Sequence, residues 1–390
     1  MNKIEVLIEE LCPEGVEYKE LREIFKISRG RVMSKEYLRD NVGEYPVYSS
    51  QTADNGEIGK IDTYDYDGEY LTWTTDGANA GTIFYRFGKF SITNVCGLLK
   101  LKVKDIISRF AYYYLSISMK SFVSSGMGNP KLMSNVVQKI QIPIPSLEIQ
   151  QEIVNILDKF SELEAELEAE LEARRKQYEY YRNQLLTPIE VGGKWFMNGN
   201  EVEWKTLGEI GNICMCKRVM KNETKPTGDV PFYKIGTFGK VADAFISNEL
   251  YNDYKNRFSY PKVGEILLSA AGTIGRTVVY DGEPAYFQDS NIVWLSNDES
   301  KVTNKFLFHY YKIIVWKTDG GTILRLYNEN LAKTKIPIPS LSEQERIVGI
   351  LDKFDALVND ISKGLPAEIE ARRKQYEYYR NKLLTFKEKE

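Results

Sequence analysis

Basic and amide side chains gather in a few short loops of this 390-residue sequence, with glycine and hydroxyl residues beside them. SRGRVMSK supplies Arg29, Arg31 and Lys35, and CKRVMK supplies Lys217, Arg218 and Lys221 at a matching place further on. GNPKL carries Asn129 and Lys131, and TILRLYNEN carries Arg325 and Asn328. YPVYSSQ ends in Ser50 and Gln51, while the similar VPFYKIG contains Lys234. TTDGANAGTIFYR offers Thr74, Thr75 and Asn79, and its counterpart SAAGTIGR offers Thr273 and Arg276. Arg and Lys are the residues that engage phosphate and guanine, and Asn, Gln, Ser and Thr can hydrogen-bond base edges. The competing reading of the TTDGANAG loop is a plain turn between strands. Its Asp76 and lack of lysine disfavour a nucleotide triphosphate.

Residues for catalysis are scarce. The only histidine, His309, sits in the apolar run FLFHYYK and is expected to be a packed helix residue. Cys214-Met-Cys216 has no second ligand pair nearby, so two reduced thiols in a strand are expected rather than a metal site. There is no Gly-x-x-x-x-Gly-Lys-Ser/Thr loop, no Gly-x-Ser-x-Gly and no His-Glu-x-x-His. The Asn/Asp-Pro-Pro-Phe/Tyr motif of amino-methyltransferases is missing too, which counts against a self-sufficient DNA methyltransferase. A non-enzymatic chain with no cofactor or metal of its own is the expectation.

Composition bounds the setting. Hydrophobic residues make up 43% and charged residues 27%, ordinary for a globular protein with substantial cores. No stretch approaches the roughly 18 apolar residues that span a bilayer, and the N-terminus lacks the features of a signal peptide. Four cysteines in so long a chain form no disulfide framework, so the cytoplasm is the expected compartment. Net charge is −3, but residues 147–190 alone hold eleven acids and five bases, leaving about +3 elsewhere.

The elements that must position these loops come from internal repetition. EARRKQYEYYRN occurs at 172–183 and again at 370–381. Upstream of each copy lies a second matched block, KIQIPIPSLEIQQEIVNILDKF (139–160) and TKIPIPSLSEQERIVGILDKF (334–354). The preceding segments match only faintly and read as β-rich, with β-branched and aromatic runs punctuated by Gly, Asn, Asp and Ser. Four segments result: 1–142, 143–188, 189–336 and 337–390. Paired prolines extend the backbone before each helix, and Ser340 with Glu343 forms a capping box.

The helical segments carry apolar seams. In the second they are Ile347, Ile350, Phe354, Leu357 and Ile361, then Ile369, Tyr376, Tyr379 and Leu383. In the first they are Phe160, Leu163, Leu167, Leu171, Tyr178, Tyr181 and Leu185. A Leu-Glu-Ala-Glu tetrad repeats from Leu163, and Lys363-Gly364-Leu365-Pro366 predicts a kink or break in the second helix. The tyrosines fall at helical spacing among the bases, so the duplicated dodecapeptide reads as a helix-pairing or partner-docking face.

Taken together, IPIPSLSEQERIVGILDKF, the tetrads and the duplicated ARRKQYEYYRN resemble the specificity subunit of type I restriction-modification systems, along the whole chain. The resemblance implies an α+β fold: two β-rich target recognition domains separated by two long antiparallel helices forming a coiled coil, with pseudo-twofold symmetry. It implies that each domain reads one half of a split, asymmetric sequence in double-stranded DNA. The helices would set the spacer and dock two methylation subunits carrying S-adenosylmethionine, and motor-nuclease subunits using ATP and Mg would join them. A helix from Leu147 to near Thr187 would be roughly 57 Å long. The alternative is a coiled-coil scaffold for a DNA-modification complex that reads no sequence itself.

Overall fold

The computed structural model describes residues 3–124, 128–319 and 324–389. The chain divides into two compact units, Met1–Glu168 with Glu368–Glu390, and Ala169–Ala367. The helix Leu147–Leu186 runs 40 residues, about 60 Å, and contributes residues 147–168 to the first unit and 169–186 to the second. Its strong helix formers explain its length, and Ser146 caps it by accepting the Ile149 N–H at 3.4 Å.

The first unit is built on a six-stranded sheet in the order Phe25–Arg29, Cys96–Leu101, Tyr66–Thr74, Ile83–Ile92, Val42–Tyr48, Glu57–Ile61. Trp73 is wholly buried in its core, and Gly97 lies opposite because a Cβ there would come within 2.2 Å of the indole. In the second unit the matching strands are Gly211–Cys214, Ile292–Asn297, Ile266–Ser269 and Thr277–Val279. The long strand Ile83–Ile92 of the first unit corresponds to two pieces in the second, Thr277–Val279 and Tyr286–Phe287. Val47 and Tyr48 run parallel to Ser91 and Ile92, as Phe232 and Tyr233 do to Tyr286 and Phe287.

Each unit also closes a two-stranded ribbon beneath its helices. Tyr18 pairs with Pro143 in one, and Trp204 with Pro337 in the other, so each proline lies within a short strand of a two-stranded ribbon, an edge position that tolerates its missing N–H. Each unit packs a short helix on its sheet, Ser108–Ser118 in the first and Asn304–Tyr311 in the second. His309 lies fully buried in the latter.

The C-terminal helical segment is two helices, Leu341–Asn359 and Leu365–Leu383. Gly364 holds the break, since a Cβ there would meet the Ala356 and Leu357 carbonyl oxygens at 2.4 and 2.6 Å. Ser340 caps the first of these helices by accepting the Glu343 N–H, but Glu343 does not return the bond. Its carboxylate binds Arg346 and Asn198 instead, so the expected capping box is only half made.

Within each unit two long helices pair antiparallel through the same residues. In the first, Phe160 stacks on Tyr379 at 5.6 Å and tilts against Tyr376, and Arg373 reaches Glu164 and Glu168. In the second, Tyr178 and Tyr181 stack on Phe354 at 6.4 and 5.6 Å. Leu171, Leu185 and Ile347 pack into the second core and Leu383 into the first. Ile369 is buried, and Ile350 and Leu167 are half-buried.

Three seam expectations need correction. Leu357 is exposed, and Ile361 is 84% exposed because it lies past the helix end at Asn359. The helix Leu341–Asn359 turns Val348, Leu351 and Val358 inward instead, onto its own domain's core. Leu163 is also exposed; Tyr181, though partly open to solvent, stacks on Phe354 as the seam expects.

Candidate nucleic-acid interface

Both units build one loop by the same hydrogen-bond scheme, and its sequence dictates why. Thr74 closes the first unit's strand; its hydroxyl donates to the Asn79 carbonyl and accepts the Thr82 N–H at 3.0 Å. Ser269 repeats this, donating to the Thr273 carbonyl at 2.5 Å and accepting the Arg276 N–H at 2.9 Å. Gly81 and Gly275 return their N–H groups to Thr74 and Ser269 from φ of 81° and 86°, a region glycine adopts freely. Leu132 and Leu326 then donate to the Thr75 and Ala270 carbonyls, each at 2.8 Å, which brings Lys131 and Arg325 beside the loops.

This placement corrects the role expected of Thr74 and Thr75. Both are fully buried, and the Thr75 hydroxyl is bonded to the Val95 carbonyl at 2.8 Å. They shape the loop and offer no hydroxyl to an incoming base. Ser50 likewise serves the framework, donating to the Val95 carbonyl and accepting the Thr75 N–H, and Gln51 donates to the Glu57 carbonyl. What the loops expose is Asn79, held by Thr52 at 3.1 Å, and Thr273.

The remaining first-unit candidates spread along one rim of its sheet. Arg29 is half-buried on the Asn94 carbonyl and Ser134. Arg31 is exposed; the Tyr37 hydroxyl, with Asp65 beside it, raises its guanidinium above the usual range. Lys35, Asn129 and Lys131 are exposed. Sequence reasoning missed Arg86, which is 3% exposed, stacked over Tyr48 at 3.6 Å and bonded to the Asn55 carbonyl at 2.7 Å. It props the turn where Asp54 and Asn55 take positive φ, and burial lowers its pKa.

In the second unit four predicted cations converge. Arg218, Lys221, Lys234 and Arg325 come from three separate segments to line one cleft of about 530 Å³. Asp289 is the cleft's single carboxylate and pairs with Arg218 at 2.9 Å. Lys234 is paired with Asp243 at 2.8 Å, and Arg325 donates to the Asn291 side-chain oxygen. Gln288, Ser290 and Asn291 also line the cleft, and sequence reasoning did not select them. The polar run QDSN between two apolar strands was the available signal. Gln288 accepts the Ile235 N–H through its oxygen, which leaves its amide nitrogen as a donor. Lys217 lies over the Phe258 ring, Arg276 donates to the Phe238 carbonyl, and Asn328 opens a short helix; none of the three lines this cleft. A positive cleft edged with amides suits a phosphate backbone passing beside readable base edges.

Residues 13–173 and 200–371 match the family described as type I restriction modification DNA specificity domain. The chain belongs to that family. A Haemophilus influenzae protein named as a type I restriction enzyme specificity subunit is 47% identical, covering 95% of this chain and 96% of its own. A Mycoplasma pneumoniae type I specificity subunit is 35% identical over 93% of this chain and 96% of its own length. Among solved structures, the S subunit of the type I restriction-modification system from M. genitalium shares the fold, with a TM-score of 0.58 at 17% identity, covering 95% of this chain and 96% of that one. A chain from a study of complex assembly and conformational transition of the type I R-M system gives 0.57 at 15% identity, covering 95% and 97%. Among the described residues no group of three or more His, Cys, Asp or Glu could hold a metal, and no helix is long and apolar enough to cross a membrane.

Proposed function

We propose that this chain is the DNA-reading subunit of a type I restriction-modification complex and performs no catalysis itself. Residues 1–142 and 189–336 each read one half of a bipartite, asymmetric target in double-stranded DNA. The observation that carries this reading is the convergence of Arg218, Lys221, Lys234 and Arg325 on one amide-edged cleft, in a chain of the DNA specificity family. Exposed Asn79, Lys131, Arg31 and Lys35 take the corresponding part in the first unit, with Thr273 at the loop tip of the second. Methylation would be done by two partner subunits carrying S-adenosylmethionine, seated on the helix pairs. Cleavage would fall to motor-nuclease subunits with ATP and Mg, and the assembly would work in the cytoplasm.

Two changes test this in cells carrying the chain with its methylation subunit, read by mapping methylated adenines. Exchanging residues 1–142 for the same region of a relative should change one half-site and leave the other. Deleting Leu167–Glu170 removes about 6 Å and 40° of helix, and should alter the unread spacer while keeping both half-sites. An unchanged methylation pattern after the domain exchange would refute the reading and leave a scaffold that reads no sequence.

A further inference from the structure

The two units place matched residues on many matched contacts, and at one cavity the match breaks. Gln150 accepts the Ile107 N–H at 2.8 Å and donates to the Asp105 and Pro145 carbonyls. Gln344 does the same with Thr303, Lys301 and Pro339. This register equates Arg109 with Lys305, Tyr112 with Phe308, Tyr113 with His309 and Asp158 with Asp352. Strand pairing of Leu71 with Tyr85, and of Ile266 with Val279, equates Tyr85 with Val279 and Glu69 with Gly264.

In the first unit these side chains form a connected set. Glu69 accepts the Tyr85 hydroxyl at 2.6 Å, the Arg109 guanidinium lies 4.7 Å from the Tyr85 ring, and Arg109 donates to Asp158 at 2.8 Å. The second unit has Gly264, Val279, Lys305 and Phe308 in their places, and these line a cavity of about 690 Å³. Gly349, where the first unit has Asn155, widens it further. The space held elsewhere by a tyrosine ring and a guanidinium is open.

The cavity keeps the acidic wall that its counterpart uses. Asp352 lies 2.7 Å from His309 Nε2 through one oxygen, yet its side chain is 47% exposed. Glu345 stands on the same helix where the first unit has a neutral glutamine, Gln151. The third carboxylate, Glu299, is engaged by Asn304, and Lys305 is the single cation in the lining. Phe308, Val279 and Val348 supply an apolar surface.

We propose that this cavity is a socket for an arginine and a neighbouring aromatic side chain of the docked methylation subunit, which supplies in trans what Arg109 and Tyr85 supply within the first unit. The guanidinium bonds Asp352 and Glu345, and the ring packs on Phe308 and Val279. The proposal rests on the functional reading above and adds that the two partner copies bind unequally, because only the second unit presents an open socket.

The test titrates the cognate methylation subunit onto the full-length chain by calorimetry, with native mass spectrometry to count copies. Val279→Tyr with Lys305→Arg rebuilds the first unit's filling, and Glu345→Gln installs its neutral counterpart at an exposed position. Wild type should give two unequal binding constants. The double variant should weaken the tighter one by roughly 30-fold, the loss expected for a central arginine anchor, while the melting temperature is kept or raised. Glu345→Gln should weaken the same step by about 10-fold or less. Two binding steps unchanged by either variant would overturn the socket alone, and failure of wild type to bind the subunit would overturn the functional reading with it. Self-association of the free chain that the double variant abolishes would also overturn the proposal, in favour of a second copy as occupant.

Discussion

Neutralising the cleft cations of the second unit should change the salt dependence of DNA binding by amounts that follow from their present partners. Each neutralised phosphate contributes about 0.9 to the slope of log affinity against log salt. Lys221 is exposed and has no ion pair among the described residues, and among them the Arg325 guanidinium bonds the neutral amide oxygen of Asn291. Both therefore bring a full charge to a phosphate. Lys221→Gln and Arg325→Gln should each flatten the slope by about 0.9, and the double variant by about 1.8. Between 50 and 200 mM salt, a slope difference of that size amounts to roughly a 12-fold difference in how much affinity is lost.

Arg218 should behave differently, because its guanidinium already lies 2.9 Å from Asp289, whose side chain is only 18% exposed. Arg218→Gln leaves that carboxylate facing the cleft, so affinity should fall at every salt concentration by more than the slope change accounts for. Adding Asp289→Asn should recover most of that excess. The measurement is fluorescence anisotropy of a target duplex with the assembled methylation complex across the salt series. Slopes of the Lys221 and Arg325 variants that match wild type would place this cleft off the DNA path and refute the reasoning.

Two further outcomes follow from buried polar groups. Ser269→Ala orphans the Arg276 N–H inside the loop, so denaturant unfolding should show a loss of about 1–3 kcal/mol, and Ser269→Thr, the first unit's choice, should restore it. His309 is lowered below its ordinary pKa by burial, against the pull of Asp352 and with Lys312 adding to the shift, while Tyr178 and Asp355 complete its surroundings. Because its folded pKa is depressed, the neutral ring contributes stability above pH of about 6.5 that is lost as pH falls from there toward the folded value. The chain's one imidazole resonance should titrate below 6.5, and His309→Tyr should flatten the melting temperature between pH 7.5 and 5.5; a midpoint above 6.5 would contradict this assignment.

Long-range order was legible wherever sequence repeated and helical period agreed. The 40-residue helix, the break at Gly364 and the contacts of Phe160, Phe354, Tyr178, Tyr376 and Tyr379 all follow from spacing that twelve identical letters made conspicuous. The seam failed at Leu357 and Ile361 because a heptad assumes one partner, whereas Leu341–Asn359 also buries Val348, Leu351 and Val358 in its own domain. Thr74 and Thr75 misled for a local reason. In a glycine-rich turn a hydroxyl can satisfy backbone groups as readily as it can face a ligand, and composition does not separate the two. Gln288 and Asn291 stayed hidden because they join Lys221 and Arg325 only through the fold.

The duplication itself has a physical account in which the two repeat blocks are needed together. Phe160 belongs to the first copy of the upstream block but stacks on Tyr376 and Tyr379 of the second dodecapeptide. Phe354, its equivalent in the second copy, stacks on Tyr178 and Tyr181 of the first. Each helix pair thus joins an upstream block from one half of the chain to a dodecapeptide from the other. A substitution in either block alone would make the two pairs unlike. The elements under no such double duty have diverged, down to Val279 for Tyr85 and Lys305 for Arg109, and that freedom allows one unit to hold an open cavity where the other is filled. Symmetry is kept at the surfaces that pair helices, and difference accumulates in the domains that can use it.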